Sequence, residues 1–207
     1  MPSRQVWFIR HAESMANAGA CDEPVDQVPL TPKGFDQAEA LANIFTSAPS
    51  LIICSPYIRT QQTASPTRNR FPHVPCEIWP VQEFTYLKRL TPEEWILSTP
   101  QQRQAIAENY WRTASPDYVD GPGMESFNQL LNRVKMIFEK LEKSQEAFTV
   151  VFTHNVFLLA ARMLGELSDL SPEEMMRRQT SLYRNSSVPN CGIVKAEVID
   201  GRLTLKF

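Results

Sequence analysis

The chain has 207 residues, 43% of them hydrophobic and 21% charged, the balance of an ordinary folded domain, which excludes disorder and collagen-like repeats. Its net charge is −2, so no basic excess points to nucleic acid. Glycine is scarce, at seven residues; they form no G-x-G-x-x-G or Walker-type loop, which argues against a dinucleotide or P-loop nucleotide site.

The first expected element is a strand over residues 5–9, Gln-Val-Trp-Phe-Ile, rich in β-branched and aromatic side chains. No apolar h-region precedes it, so no signal peptide is expected. Thr31-Pro32-Lys33-Gly34 reads as an N-cap followed by proline at the first helical position, opening a helix to about residue 46. A strand follows at 51–54, and Ser55-Pro56 repeats the device to open a helix to about residue 68. Residues 77–81 read as a third strand. His73, between Phe71-Pro72 and Val74-Pro75, reads as a surface-loop residue. The segment 84–123 is rich in Tyr, Trp, Pro and charge, carries no strong strand, and reads as an inserted helical lobe or lid. Tyr86, Lys88, Arg89, Trp111 and Arg112 are its side chains for meeting a substrate, and none stands out. Further helices are expected over 124–143, 156–164 and 171–182, and strands over 148–152, 192–199 and 203–207. The last two make a hairpin turning at Asp200-Gly201. The longest apolar run, 156–161, is far short of a membrane span. Cys21, Cys54, Cys76 and Cys191 are widely spaced with no C-x-x-C pair. They read as free thiols of a reducing, cytoplasmic compartment.

Strands alternating with helices, several of them continuously apolar, predict an α/β fold: three layers, α/β/α, around a mostly parallel central sheet. Ligands of such sheets bind at the carboxyl ends of the strands. Arg10 and His11 follow the first strand, Ser55 and Arg59 the second, Glu83 the third and His154 the fourth. Two of the three histidines in the chain thus stand at strand ends.

Two guanidiniums and an imidazole on one rim suit a dianion, because arginine grips phosphate oxygens bidentately and its charge is permanent. A neutral histidine there can attack phosphorus. A second, partly protonated near neutral pH, can stabilise the transferring oxygens. A carboxylic acid can protonate the leaving oxygen. Glu83 is placed for that role, with Glu13 and Glu125 as rivals.

The sequence resembles the histidine phosphatase superfamily, also called phosphoglycerate-mutase-like. Arg10-His11-Ala12-Glu13-Ser14, with Asn17 following, resembles the family's R-H-G/A-E-S-x-x-N stretch. Pro29-Leu30-Thr31-Pro32-Lys33-Gly34 is similar to its P-L-T-x-x-G helix start. Ser55-Pro56-Tyr57-Ile58-Arg59-Thr60-Gln61-Gln62-Thr63-Ala64 resembles S-P-x-x-R-T-x-Q-T-A. Gly123-Met124-Glu125-Ser126-Phe127 and Val150-Val151-Phe152-Thr153-His154 resemble two further stretches. The resemblance spans nearly the whole chain except the lid. It implies a phosphohistidine on His11, a phosphate pocket of Arg10, Arg59 and His154, and an acid at Glu83. Ser14 and Asn17 look like secondary substrate contacts. One departure is Asn155, where the family usually has glycine after the second histidine; a side chain there is expected to crowd or reshape the phosphate site.

These residues imply a metal-independent, cofactor-free phosphomonoesterase acting on a small phosphorylated substrate, a phosphoprotein being a second class an open cleft admits. A mutase shares the site, but true mutases of the family carry extra segments and a C-terminal tail near it, while this chain runs out after its final strand. Hydrolysis is therefore the expected outcome. A third reading is a phosphate-binding remnant without catalysis; it should have lost a core residue, and none is lost. Neither the substrate nor the oligomeric state is named by the sequence, and no nucleic-acid or membrane partner is expected.

Overall fold

The alternation of side chains along the strands decides what covers each face of the sheet. The computed structural model describes residues 4–19, 23–88 and 99–206. Its strands are β1 (Arg4–Arg10), β2 (Leu51–Cys54), β3 (Cys76–Ile78), β4 (Phe148–Thr153), β5 (Ile193–Ile199) and β6 (Arg202–Lys206). They form one sheet in the order β3-β2-β4-β1-β5-β6. The pairings among β1 to β4 are parallel, and β5 and β6 join antiparallel. The expected mostly parallel sheet is therefore present, extended by a hairpin on one side. That hairpin turns at Asp200 and Gly201, both with positive φ, the backbone a two-residue turn of matching twist requires.

Val6, Phe8, Leu51, Ile53 and Val151 point to one face. There they meet α4 (Phe127–Lys143), α5 (Asn155–Glu166) and α6 (Pro172–Ser186) through Leu130, Val134, Ile137, Leu158 and Met176. Trp7, Ile9, Ile52, Cys54, Val150 and Phe152 point to the other face. That face is covered by α1 (Pro32–Ala42) through Leu41, by Phe45 just past its end, and by α2 (Ile58–Arg70) through Ala64. The three layers follow from these two alternating sets. Each fully buried phenylalanine, such as Phe8, Phe152 and Phe157, contributes about 1.5–3 kcal/mol relative to exposure.

Several boundaries differ from expectation. The third strand has three residues instead of running to 81: Trp79 N–H makes the last ladder bond, to the Cys54 carbonyl of β2, and Val81 N–H then folds back on Trp79. The proline between them has no N–H to continue the ladder. Helix α2 starts at Ile58, since the Ser55 hydroxyl accepts from Tyr57 N–H in a turn and caps no helix. Helix α4 starts at Phe127 behind a Ser126 capping box, later than expected. Helix α6 runs on to Ser186, and α1 stops at Ala42. Within the expected lobe, α3 (Pro100–Thr113) opens on a Thr99–Gln102 capping box. Residues 89–98, with Arg89, and Cys21 lie outside the described residues, as does Phe207 of the last expected strand.

Gly34 is required by close approach. It sits in the first turn of α1, and a Cβ there would collide with the Glu13 carbonyl oxygen. That contact lets Thr31 N–H bond the same carbonyl at 3.0 Å, so the helix start is clamped against the chain that follows β1.

Candidate active site

β1 ends at Arg10, and His11 bonds back to β4 through its N–H and the Thr153 carbonyl. The His11 ring is buried, 4% exposed. Its Nδ1 lies 2.7 Å from the Ala12 carbonyl oxygen. A carbonyl only accepts, so Nδ1 carries the proton and Nε2 keeps its lone pair. Burial pushes the His11 pKa down to about 3; the Arg59 cation adds to this, the Ala12 bond opposes it, and Arg10 adds further. The ring is therefore neutral at physiological pH, the state a nucleophile needs.

His154 stands at the end of β4 with its ring centroid 5.1 Å from that of His11. Arg59 Nη2 donates to its Nδ1 at 3.1 Å. Arginine has no acceptor, so Nδ1 is unprotonated and Nε2–H donates to Ser55 Oγ at 2.8 Å. Burial holds the His154 pKa well below the usual range, and the surrounding cations, Arg59 first, press it lower. The expectation was a partly protonated second histidine; a fully buried ring beside guanidiniums instead disfavours the cation.

Arg59 is the second residue of α2, buried, with Nη1 bonded to the Val25 carbonyl and its guanidinium carbon 4.8 Å from the Tyr57 ring centre. Arg10 donates from Nη1 to the Val188 carbonyl at 2.6 Å, and its buried Nε has no partner. Both guanidiniums act on the His11 ring electrostatically, and Glu83 acts on Arg10. An unpartnered guanidinium N–H beside a neutral imidazole suits an anion that brings its own acceptors.

Glu83 is held at the start of α5. Oε1 accepts from the N–H groups of Val156 at 3.0 Å, Phe157 at 3.2 Å and Phe84 at 3.1 Å. The otherwise unpaired N–H groups of the first helical turn fix Oε1 in place. Two further residues fix the segment that carries it. Thr153 Oγ1 donates to the Val81 carbonyl at 2.6 Å. Arg133 pairs with Glu125 through two bonds, at 2.8 and 2.6 Å, and its Nη1 donates to the carbonyls of Pro80 and Gln82. The rivals are thereby engaged elsewhere: Glu125 by Arg133, and Glu13 by Lys33 and Thr31.

The remaining sequence candidates have framework bonds. Ser14 and Asn17 bond each other, Asn17 Oδ1 accepting from both the N–H and the hydroxyl of Ser14. The Asn155 amide is bonded to the segment that precedes β5. Its Nδ2 donates to Ser187 Oγ at 2.9 Å and its Oδ1 accepts from Val188 N–H at 3.0 Å. Trp111 is buried among Phe84, Tyr86, Tyr110 and Phe127, while Arg112 bonds Asn109 on the surface. His73 is an exposed turn residue, as expected.

Sequence reasoning missed the supporting residues. Ser55 accepts from His154, and Asn190 Nδ2 donates to the His11 carbonyl at 2.9 Å. Thr63 Oγ1 accepts from Ala12 N–H and donates to the Arg59 carbonyl, tying the end of β1 to α2. Gln62 accepts from Leu30 N–H. Ser55, Gln62 and Thr63 all lie in the ten-residue stretch after β2, which was the available signal; nothing marked Asn190. Among the described residues no three His, Cys, Asp or Glu side chains gather as a metal-ligating group, and no helix is long and apolar enough to cross a membrane.

The chain is similar to known proteins. The chain is 29% identical to the 5''-phosphoribostamycin phosphatase of Niallia circulans across 96% of this chain and 97% of that one. It is 27% identical to the adenosylcobalamin/alpha-ribazole phosphatase of Escherichia coli over 78% and 79% of the two chains. Two solved structures share the fold. The alpha-ribazole phosphatase of Shigella flexneri has a TM-score of 0.70 at 23% identity, covering 98% of this chain and 94% of its own. A mycobacterial glucosyl-3-phosphoglycerate phosphatase has 0.69 at 18%, covering 99% and 96%. The profile of the histidine phosphatase superfamily, branch 1, matches residues 6–206, and with the two histidines and two arginines gathered at the strand ends, the chain belongs to that family.

Proposed function

We propose that the protein is a metal-independent phosphomonoesterase that hydrolyses a small phosphorylated metabolite through a phosphohistidine on His11. The observation that carries this reading is the His11 tautomer: Nδ1–H is bound to the Ala12 carbonyl, Nε2 keeps its lone pair, and the ring feels the charge of both Arg59 and Arg10. The substrate dianion binds between Arg10 and Arg59, which supply the charge that Mg²⁺ supplies in other phosphoryl-transfer sites. Nε2 attacks phosphorus in line, the P–N bond forms as the P–O bond breaks, and the leaving oxygen takes a proton from the Glu83 carboxyl. Water then attacks phosphorus, Glu83 takes its proton, and the P–N electron pair returns to Nε2. When the dianion draws Arg59 onto its own oxygens, Nδ1 of His154 is released to take a proton and donate it as a hydrogen bond to the phosphoryl group.

The lobe over residues 84–123 acts in this reading as a lid beside the acid. Phe84, next to Glu83, packs against Tyr86, Tyr110 and Trp111, so α3 is anchored through an aromatic cluster. The relatives' names place small phosphorylated metabolites among the substrates of this family, which supports the same class here.

The test is hydrolysis of an aryl phosphate in excess EDTA by the wild type and His11→Ala side by side. The reading expects turnover that survives EDTA and falls to background in the variant. Activity of His11→Ala near the wild-type level overturns the phosphohistidine, and loss on chelation overturns metal independence.

A further inference from the structure

The face of the sheet under α2 carries a pair of thiols that the proposed chemistry does not use. Cys54 is the last residue of β2 and Cys76 the first of β3. In the parallel register Cys76 lies opposite Ile52, and Cys54 opposite Ile78. Two residues of offset return a side chain to the same face, so the cysteines are diagonal neighbours, with sulfurs 3.9 Å apart. Cys54 is buried, whereas Cys76 is half-buried on the edge strand and open to a small reagent.

The geometry points to a redox modification site in which Cys54 and Cys76 close to a disulfide when a hydroperoxide oxidises them. Cys76 is the attacking thiol. The neighbouring Cys54 thiol, by hydrogen bonding, and the Arg68 cation favour its thiolate, against burial and Glu77, and its pKa is lowered to about 7. The Cys54 thiol is held well above its usual pKa. A low-pKa, accessible thiol next to a resolving cysteine is the arrangement that oxidants select. The Cys76 thiolate attacks one peroxide oxygen and the O–O bond breaks. Cys76 becomes a sulfenic acid and the peroxide leaves as an alcohol or water after taking a proton. The Cys54 sulfur then displaces the sulfenic oxygen, which leaves as water with the Cys54 proton. Two thiols are oxidised by two electrons and one peroxide is reduced.

The sulfurs must close from 3.9 Å to the roughly 2.0 Å of a bond. The strand that moves is a three-residue edge strand with two exposed residues, paired only on one side. The bond would also reach the candidate site from two directions. Cys54 precedes Ser55, the acceptor for His154. Past β3 the chain runs through Trp79, whose N–H bonds the Cys54 carbonyl, to Glu83. Formation of the disulfide does not depend on the proposed activity; only its effect on turnover does.

The experiment treats the full chain with hydrogen peroxide and reads intact mass, free thiols and cross-linked peptides, with aryl-phosphate turnover measured in parallel. The expected result is a loss of two mass units, two fewer titratable thiols and a Cys54–Cys76 peptide, all reversed by dithiothreitol. Turnover should fall several-fold and recover on reduction. Cys76→Ser should lose the two-unit change. A Cys21→Ser/Cys191→Ser double variant should keep it, which serves as the decisive test if Cys76→Ser fails to fold. Four unchanged thiols, or a cross-link to Cys21 or Cys191, overturns the proposal. A Cys54–Cys76 bond with unchanged turnover overturns the link to the site while the modification stands. The absence of turnover in every sample bears on the proposed function alone.

Discussion

Replacing Asn155 by alanine removes two hydrogen bonds that hold the segment on which Arg10 rests. Asn155 Oδ1 accepts from Val188 N–H, and the Val188 carbonyl accepts from Arg10 Nη1, so one amide anchors the arginine through a single residue. Val188 is 7% exposed and Asn155 3%, so the stranded N–H costs about 1–3 kcal/mol. The bond to Ser187, an exposed residue, adds about 0.5–1 kcal/mol because water can replace it. Alanine recovers a few tenths through helix propensity. The net, about 1–4 kcal/mol, is a melting decrease of roughly 2–16 °C for a domain of this size. A displacement of Arg10 by about 1 Å would lower kcat/KM by up to ~10²-fold. Thermal melts and aryl-phosphate kinetics on the same preparations check both. Glycine should be worse than alanine by about 1 kcal/mol from backbone freedom. An Asn155→Gly protein that melts like the wild type and turns over faster would refute the reasoning and revive crowding of the phosphate site.

Three other outcomes are expected. Ser55→Ala leaves His154 Nε2–H without its acceptor; it should destabilise by about 1–3 kcal/mol and lower kcat, both read on one sample, and an unchanged kcat would remove Ser55 from the positioning of His154. Arg133→Met strands Glu125 and frees the carbonyls of Pro80 and Gln82, so a loss of about 3–5 kcal/mol is expected, with turnover falling through Glu83; stability near the wild-type value in denaturant melts would contradict this. Both buried histidines have depressed pKa values in the folded state, His11 about 3 against an ordinary 6.5. The unfolded chain therefore binds more protons below about pH 6.5. Stability should be fully present above that value and fall with acid by up to ~1.4 kcal/mol per pH unit per histidine, until pH nears 3. His11→Gln should flatten the slope, and an equally steep slope in the variant would exclude His11 as its source.

The sheet and the rim of the candidate site were legible because both are written in short, local signals. Apolar runs such as Leu-Ile-Ile-Cys become strands whose direction fixes where the next residue emerges, so Arg10, His11, Glu83 and His154 were placed by adjacency alone. Capping patterns were less decisive. Thr31-Pro32 does open α1, but Ser55-Pro56 does not open α2, because the Ser55 hydroxyl has a local turn N–H and a distant imidazole to satisfy. The supporting bonds were illegible for a physical reason: Asn155 with Val188, Asn190 with His11 and Ser55 with His154 join polar side chains far apart in the chain. No periodicity records which of them will meet. The bonds of the Asn155 amide were out of reach in the same way, since its environment is set by a segment over thirty residues later.

The central position of β1 also has a consequence for how the protein is made. Its two neighbours in the sheet are β4 and β5, whose residues begin at Phe148 and Ile193. At ~5–20 residues per second, a ribosome needs on the order of ten to forty seconds to supply both after β1 has emerged. Until β4 is made Val6-Trp7-Phe8-Ile9, apolar and strand-forming, has neither ladder partner, and until β5 is made it has at most one, the composition and exposure that promote aggregation. Arg4 and Arg10 bracket this stretch as flanking charges that discourage intermolecular pairing. The arginine that lies beside His11 in the folded enzyme thus serves the nascent chain first as a gatekeeper.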